Sequence, residues 1–337
     1  MEPYAPVAEQ YADFARWSRD ESPCFSQWAA GVAEDPDVLA LLSQLPQVKQ
    51  QPNLVFAAAR WHGVPAPGPY SGLRDALIGD DGTIRATVLS RSTQTNEVGR
   101  LATLTPAFAA IAGGAPLALI EVGASAGLCL YPDRYTYAWS TEAGPVTSGQ
   151  GPRLECEVAG GFPQRMSVPR VEWRAGIDLN PLSVTDDDAM AWLANLVWPE
   201  QDDRRERLRV AVEVARADPP ALVAGDLLTE LPALVERAAG QIGPAGRVVV
   251  FHSAVIAYLE TDDRVRFHEM MTDLVERRRC HWVSNEGPRV LPQVSASGPS
   301  EPDGQASFAM GVDGQLVAWT HGHGRSMTWL APSVDAA

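Results

Sequence analysis

Apolar positions in this chain change their spacing near residue 115. Upstream they recur at helical intervals. Tyr11, Phe14, Ala15 and Trp17 share one face, and a second helix is expected over roughly Ser26 to Ala33. Asp35-Pro36 opens a third that carries Val38, Leu41, Leu42 and Leu45, and Pro52 opens a fourth with Leu54, Ala57, Ala58 and Trp61. A further stripe, Val98, Leu101 and Leu104, comes after Thr95 and Asn96, either of which is a suitable helix cap. Residues 1–115 therefore read as a helical N-terminal cap domain.

Downstream, short apolar runs alternate with amphipathic segments. Leu117–Ile120, Val171–Ile177, Ala221–Ala224, Arg247–Phe251 and Cys280–Ser284 have the length and character of strands buried in a parallel sheet. Helices are expected between them, for example after Thr185-Asp186-Asp187-Asp188 and over 262–278. Tyr135–Trp139 and Leu154–Val158 look like strands of a small β insertion at about 132–170. Ser307–Val312 and Gln315–Thr320 flank Asp313-Gly314, a hairpin signal. The order predicts an α/β fold over 116–330, doubly wound and mostly parallel, with one antiparallel edge.

Composition narrows the partners more than the fold. The chain has 337 residues, 45% hydrophobic and 20% charged, which suffices for a large core. Its net charge of −15 argues against nucleic acid and against an anionic membrane. Lys49 is the only lysine, so nearly all positive charge is arginine. Four scattered cysteines without a C-x-x-C pair, no signal segment and no apolar run of membrane-spanning length make a cytoplasmic protein with reduced thiols the expectation. A small-molecule substrate is the expected partner, and the oligomeric state is open.

The candidate chemistry gathers at the first strand. Leu117–Ile120 runs into Glu121-Val122-Gly123-Ala124-Ser125-Ala126-Gly127, a small-residue turn, and then into a short apolar segment that Pro132 should stop. Such a turn brings backbone N–H groups and a helix start up to a ligand. Two further strands end in acids, Asp178 and Asp226, on the same predicted edge. An acid after the second strand is placed to accept ribose hydroxyls, and one after the third to accept an adenine amino group. Gly123 to Gly127 also spells G-x-S-x-G, and Ser125, Asp226 and His321 or His323 stand in the order of an α/β-hydrolase triad. That fold needs strands ahead of its nucleophile, and the first 115 residues read as helical. His252, after the fourth strand, is either a general base or a structural histidine. Tyr258 either lines the same pocket or packs. Gln94, Asn96, Glu97 and Arg100 crowd one helix start, as a pocket wall or as a surface helix with an internal Glu97–Arg100 pair. His321 and His323 could share a strand face, but without a third ligand no metal is assigned.

Glu121 to Gly127 resembles the first motif of class I S-adenosylmethionine-dependent methyltransferases. Gly176-Ile177-Asp178-Leu179-Asn180-Pro181 is similar to their second, and Ala224-Gly225-Asp226 to the acid after their third strand. The chain departs from them in three ways: Ser125 stands where glycine is usual, an insertion separates the motifs, and no N/D-P-P-Y comes after the fourth strand. The resemblance implies a Rossmann-like methyltransferase sheet and a small-molecule methyltransferase using S-adenosylmethionine, with an unknown acceptor. Glu121, Gly123, Ser125, Gly127, Asp178 and Asp226 would then meet the cofactor and Asn96 and Tyr258 the acceptor. His252, Glu97 and Arg100 would be the catalytic group. The alternatives are a cofactor-independent substitution or cyclisation on the same fold, a non-catalytic binding subunit and, behind these, a hydrolase using Ser125. A second resemblance spans nearly the whole chain. Pro52–Ala57, Thr95–Arg100 and Trp192–Glu200 are similar to the signatures of a bacterial family known as domain of unknown function 2332. It implies no established activity, and it implies that both halves belong to one functional unit.

Overall fold

The computed structural model describes residues 6–94, 96–302 and 307–330. It forms two compact units, one of residues up to 95 together with 185–209, the other of 96–184 and the chain from 210 onward. Among the described residues no helix is long and apolar enough to cross a membrane.

The first unit is helical: Val7–Trp17, Pro23–Glu34, Pro36–Leu42, Pro52–Trp61, Tyr70–Ile78, Thr83–Ser90 and Asp187–Leu196. Three of these helices begin on proline, where the missing N–H costs no intrahelical bond. Phe56 is the hub of its core, its ring meeting those of Tyr11, Phe14, Phe25 and Trp28 at centroid distances between 5.1 and 6.1 Å. Polar clasps tie the later segment to the earlier helices. Trp198 Nε1–H donates to Asn53 Oδ1 at 2.9 Å, and Asn195 Nδ2 donates to the Ala57 carbonyl at 2.7 Å. Two of the chain's most distinctive stretches, around Asn53 and around Trp198, are thus accounted for by packing.

Among the described residues the second unit is built on one sheet of eleven strands, with helices such as Leu101–Ala112, Leu227–Ile242 and Thr261–Glu276 alongside it. The strands are β1 (Leu117–Val122), β2 (Thr136–Thr141), β3 (Gly144–Gly149), β4 (Arg153–Gly160), β5 (Val171–Asp178), β6 (Ala221–Ala224), β7 (Arg247–Ser253), β8 (His281–Glu286), β9 (Ser307–Val312), β10 (Gln315–His321) and β11 (Ser326–Trp329). The order across the sheet is β3-β2-β4-β11-β10-β9-β8-β7-β1-β5-β6. The run β6-β5-β1-β7-β8 is parallel throughout, with β1 at its centre. β9 and β10 form the expected hairpin and pair antiparallel beyond β8.

The hairpin does not end the sheet. The insertion is no separate β excursion, because β11, unmarked in the sequence, pairs parallel with β4 and so joins β2, β3 and β4 to the same sheet. The hairpin and its antiparallel neighbours therefore lie inside the sheet, and β3, antiparallel to β2, forms the outer edge on that side. β11 is only four residues long, Ser-Met-Thr-Trp, too short to stand out as a periodic segment.

Alternation along β1 decides what faces what. Ala118, Ile120 and Val122 join a core with Leu231, Val235, Phe267, Met271 and Trp282. Leu119 and Glu121 point to the other face, that of the helix Leu101–Ala112, where Phe108 meets Phe251 at 5.1 Å. Sequence spacing groups that helix with the N-terminal half, whereas in the fold it belongs to the sheet unit.

Candidate functional site

The turn after β1 is held open by glycines and pinned by side chains. Gly123, Ser125 and Gly127 all have positive φ, at 68°, 50° and 70°. At Gly123 an added Cβ would lie 2.4 Å from Val255 Cγ1, so no side chain fits there. Asn96 binds the turn on one side: its Nδ2 donates to the Ala124 carbonyl at 3.2 Å and its Oδ1 accepts the Leu128 N–H at 3.0 Å. Asp178 binds it on the other. Oδ2 accepts the Ser125 N–H at 2.8 Å and Oδ1 accepts the Asn180 N–H at 2.8 Å. The chain then enters a 3-10 turn, Leu128–Leu130, and not an α-helix, because Pro132 arrives too soon for a helix to establish itself. No helix dipole is therefore aimed at a ligand from this segment.

Several residues singled out by position do gather near the turn. Glu97 caps the 3-10 turn Val98–Arg100 by accepting the Gly99 N–H at 3.0 Å, and its other oxygen lies 3.6 Å from His323 Nδ1. Arg100 donates from Nε to the Gly322 carbonyl and from Nη1 to the Ser253 carbonyl, both at 2.8 Å. It thereby joins the end of β7 to the turn after β10. Thr95, the alternative cap, lies outside the described residues.

Glu121 is the unusual group. It is 7% exposed, and among the described residues its Oε2 has no hydrogen-bond partner. Burial pushes its carboxyl well above the usual carboxylate range; Arg100 opposes that rise and Asp178 adds to it. The Cys129 thiol, which donates to the Glu97 carbonyl at 3.6 Å, is likewise pushed up, first by burial, with Glu121 and Glu97 raising it further against Arg100.

Other expected site residues are used elsewhere. His252 is fully buried, and both ring nitrogens are engaged. Trp282 Nε1–H donates to Nε2 at 3.0 Å, which leaves the proton on Nδ1, and Nδ1 donates to Glu286 Oε1 at 2.7 Å. Between the rings of Phe267 and Trp282, it has no free nitrogen to offer as a general base. Alternation along β7 turns it to the face of Val248 and Val250, away from Glu121. Asp226 is exposed and caps the helix Leu227–Ile242 by accepting the Leu228 N–H at 2.8 Å. Tyr258 is 53% exposed. His321 Nδ1 accepts the His323 N–H at 3.1 Å, and among the described residues no group of three His, Cys, Asp or Glu is placed for a metal ion.

Sequence reasoning passes over Glu286. Its Oε1 accepts the Val255 and Ile256 N–H groups at 3.0 and 3.1 Å as well as His252, which fixes the loop that lays Val255 on Gly123. A signal exists, since β8 also ends in an acid. Tyr135 stands out in the sequence only as a strand residue, yet among the described residues its buried hydroxyl has no partner, and burial first, then Cys129, pushes its ionisation up.

No curated protein matches this sequence. The family match covers residues 8–329, nearly the whole chain. The protein belongs to the bacterial family described as "Uncharacterized protein conserved in bacteria (DUF2332)".

Proposed function

We propose that the sheet unit is methyltransferase-like, binding S-adenosylmethionine across the C-terminal edge of β1 and β5 and serving a small-molecule methyl acceptor. One observation carries the reading. The chain leaves β1 for β5 and β6 on one side and for β7 and β8 on the other, and the glycine turn stands at that reversal. Ligands of open α/β sheets bind at such switch points, outside the carboxyl ends of the strands.

The surrounding groups support it. A carboxylate has about four acceptor sites, and Asp178 spends one site per oxygen on Ser125 and Asn180. Each oxygen keeps capacity for a ribose hydroxyl. Asp226 commits Oδ1 to its own helix, which leaves Oδ2 for an adenine amino group. With His252 occupied, catalysis rests on positioning of the acceptor by the Asn96, Glu97 and Arg100 corner.

Calorimetry with S-adenosylmethionine and S-adenosylhomocysteine tests the reading. Saturable binding that Asp178→Ala weakens roughly 10- to 100-fold is expected, from the loss of charged hydrogen bonds. No heat and no thermal shift at millimolar ligand removes the cofactor.

A further inference from the structure

The carboxyl edge carries a second pair of proton-handling side chains, beyond β7. β7 and β8 run parallel to β1, then β9 and β10 each reverse direction, so β10 ends on the same edge as the glycine turn. The chain leaves β10 through His321-Gly322-His323-Gly324, and this turn crosses the segment that starts at Asn96. A Cβ on Gly324 would lie 2.0 Å from the Gly99 carbonyl oxygen, and one on Gly99 would lie 2.6 Å from that of His323. The two backbones therefore touch with no room for a side chain. Arg100 closes the crossing through the Gly322 and Ser253 carbonyls.

The crossing sets Glu97 against His323. The Gly99 N–H fixes Glu97 Oε1 at 3.0 Å, and Oε2 lies 3.6 Å from His323 Nδ1. The two side chains are 4% and 12% exposed. That separation is long for a hydrogen bond and within ion-pair reach once the ring gains a proton. Asn96, which holds the glycine turn through Ala124 and Leu128, is the residue before Glu97, about 3.8 Å away between Cα atoms. Phe308 is half-buried against the same corner. Its Cζ would be 3.5 Å from a Cβ on Gly322, and its ring centroid is 5.9 Å from the Arg100 guanidinium carbon.

We infer that His323 takes the proton of the methyl acceptor, that Glu97 is the positioning residue behind it, and that the acceptor is a small phenol. This rests on reading the edge as the site of S-adenosylmethionine and its acceptor. With Nδ1 turned to Glu97, Nε2 is the nitrogen that accepts. The phenol O–H bond breaks, the proton passes to Nε2, and the electron pair left on oxygen forms the new bond to carbon. S-adenosylmethionine supplies the methyl group, and its sulfur keeps the pair of the broken S–C bond. Proton transfer works when base and acid are not far apart in pKa, which suits an imidazole to a phenol and not to an aliphatic alcohol. Phe308 gives such a ring an aromatic wall. The other titratable groups at this corner are His321, whose Nδ1 accepts the His323 N–H and whose ring centroid is 5.6 Å away, Arg100 through Gly322, and Cys129, whose thiol donates to the Glu97 carbonyl at 3.6 Å.

The test uses the full chain with 4-nitrophenol, whose ionised form absorbs visible light, buffered about one unit below the phenol's own pKa. About a tenth of the free phenol is ionised there, and most of the bound phenol should be. His323→Gln should return the bound phenol to the free fraction, and Glu97→Gln should lower its ionisation severalfold. Both should keep their affinity for 4-nitroanisole, which has no proton to give. A merely structural clasp predicts the reverse, a lowered melting temperature with an unaltered spectrum, and overturns the inference. So does failure of the wild type to bind or to ionise the phenol, or ionisation that survives His323→Gln. Should one variant not fold, the other decides. The titrations are run with and without S-adenosylhomocysteine, whose own binding is read by calorimetry. Phenol ionisation that needs His323, in a protein that does not bind S-adenosylhomocysteine, sinks the cofactor reading and keeps the proton acceptor. Cofactor binding without phenol ionisation sinks this inference alone.

Discussion

The Ser125 N–H donates to Asp178 Oδ2 at 2.8 Å, so the acid at the end of β5 is a strut of the turn after β1. A carboxylate solvated at an open edge could be removed without harm to the fold; this one cannot. Asp178→Ala leaves two N–H groups without their charged acceptor, and hydrogen bonds to charged groups contribute about 1.5–3 kcal/mol each at most. The expected outcome is a fall of about 1–3 kcal/mol in urea-unfolding stability together with the loss of cofactor affinity. Asp178→Asn, which keeps an acceptor oxygen, should recover part of the stability and less of the affinity. A lowered melting point with unchanged affinity would confine Asp178 to the turn.

The buried chain Trp282–His252–Glu286 gives the second prediction. Glu286→Ala strips the acceptor from three donors at once, the His252 Nδ1–H and the Val255 and Ile256 N–H groups. Unsatisfied buried donors cost about 1–3 kcal/mol each, so a loss of about 3 kcal/mol or more is expected on denaturant unfolding. His252→Gln should lower stability while leaving the midpoint of any pH–rate profile in place. A shifted midpoint would return His252 to the chemistry.

How much of this was legible in the sequence depended on reach. Apolar runs located the parallel strands, because a strand buried on both faces is apolar at every position, as Leu117–Ile120 is. The acids at 121, 178 and 226 were visible as strand ends, but their roles were not. Asp226 and Asn96 look alike as polar residues at segment ends, and only the fold shows one capping its own helix while the other reaches 28 residues on to Ala124. His252 misled because a period of two fixes the face and not the direction of the site. β11 was hidden because a four-residue strand carries almost no periodicity, and its partner β4 lies far back in the chain, with Ser326 paired to Glu157.

The thiols provide a pH prediction. Cys24, Cys129, Cys156 and Cys280 are all free and buried. Burial pushes Cys156 and Cys280 from an ordinary 9.0 up to about 12. A thiol whose folded pKa is raised favours the folded state below its unfolded pKa, and that stability is lost as pH climbs toward the folded value. Stability should therefore decline from about pH 9 upward. Iodoacetamide at about pH 8 should label none of the four in the native protein and all four in urea, with mass spectrometry as the readout. Rapid native labelling would mean a thiolate is accessible.

The last prediction joins the turn to the loop that covers it. Gly123 has φ 68°, and a Cβ there would sit 2.4 Å from Val255 Cγ1 and 2.5 Å from Cγ2. Gly123→Ala thus carries two separable penalties. The left-handed backbone costs an alanine about 1–2 kcal/mol wherever it occurs. The clash adds more, because Val255 cannot retreat: its N–H is bound to Glu286 Oε1, and its neighbour Ala254 is itself held at φ 58°. Val255→Ala should relieve only the clash. In a double-mutant cycle, Gly123→Ala with Val255→Ala should be more stable than the sum of the single changes, by an interaction energy of about 1–2 kcal/mol, and still less stable than Val255→Ala alone by the backbone cost. Both halves of that outcome matter. Additive penalties would mean that Val255 does not rest on the turn. A double variant fully restored to the stability of Val255→Ala would mean that the turn tolerates an alanine, and that Gly123 is needed for close approach of a side chain and not for its backbone angle. Affinity for S-adenosylhomocysteine on the same four proteins separates the turn's shape from its cover, since binding at the turn should track the backbone term and ignore relief of the clash.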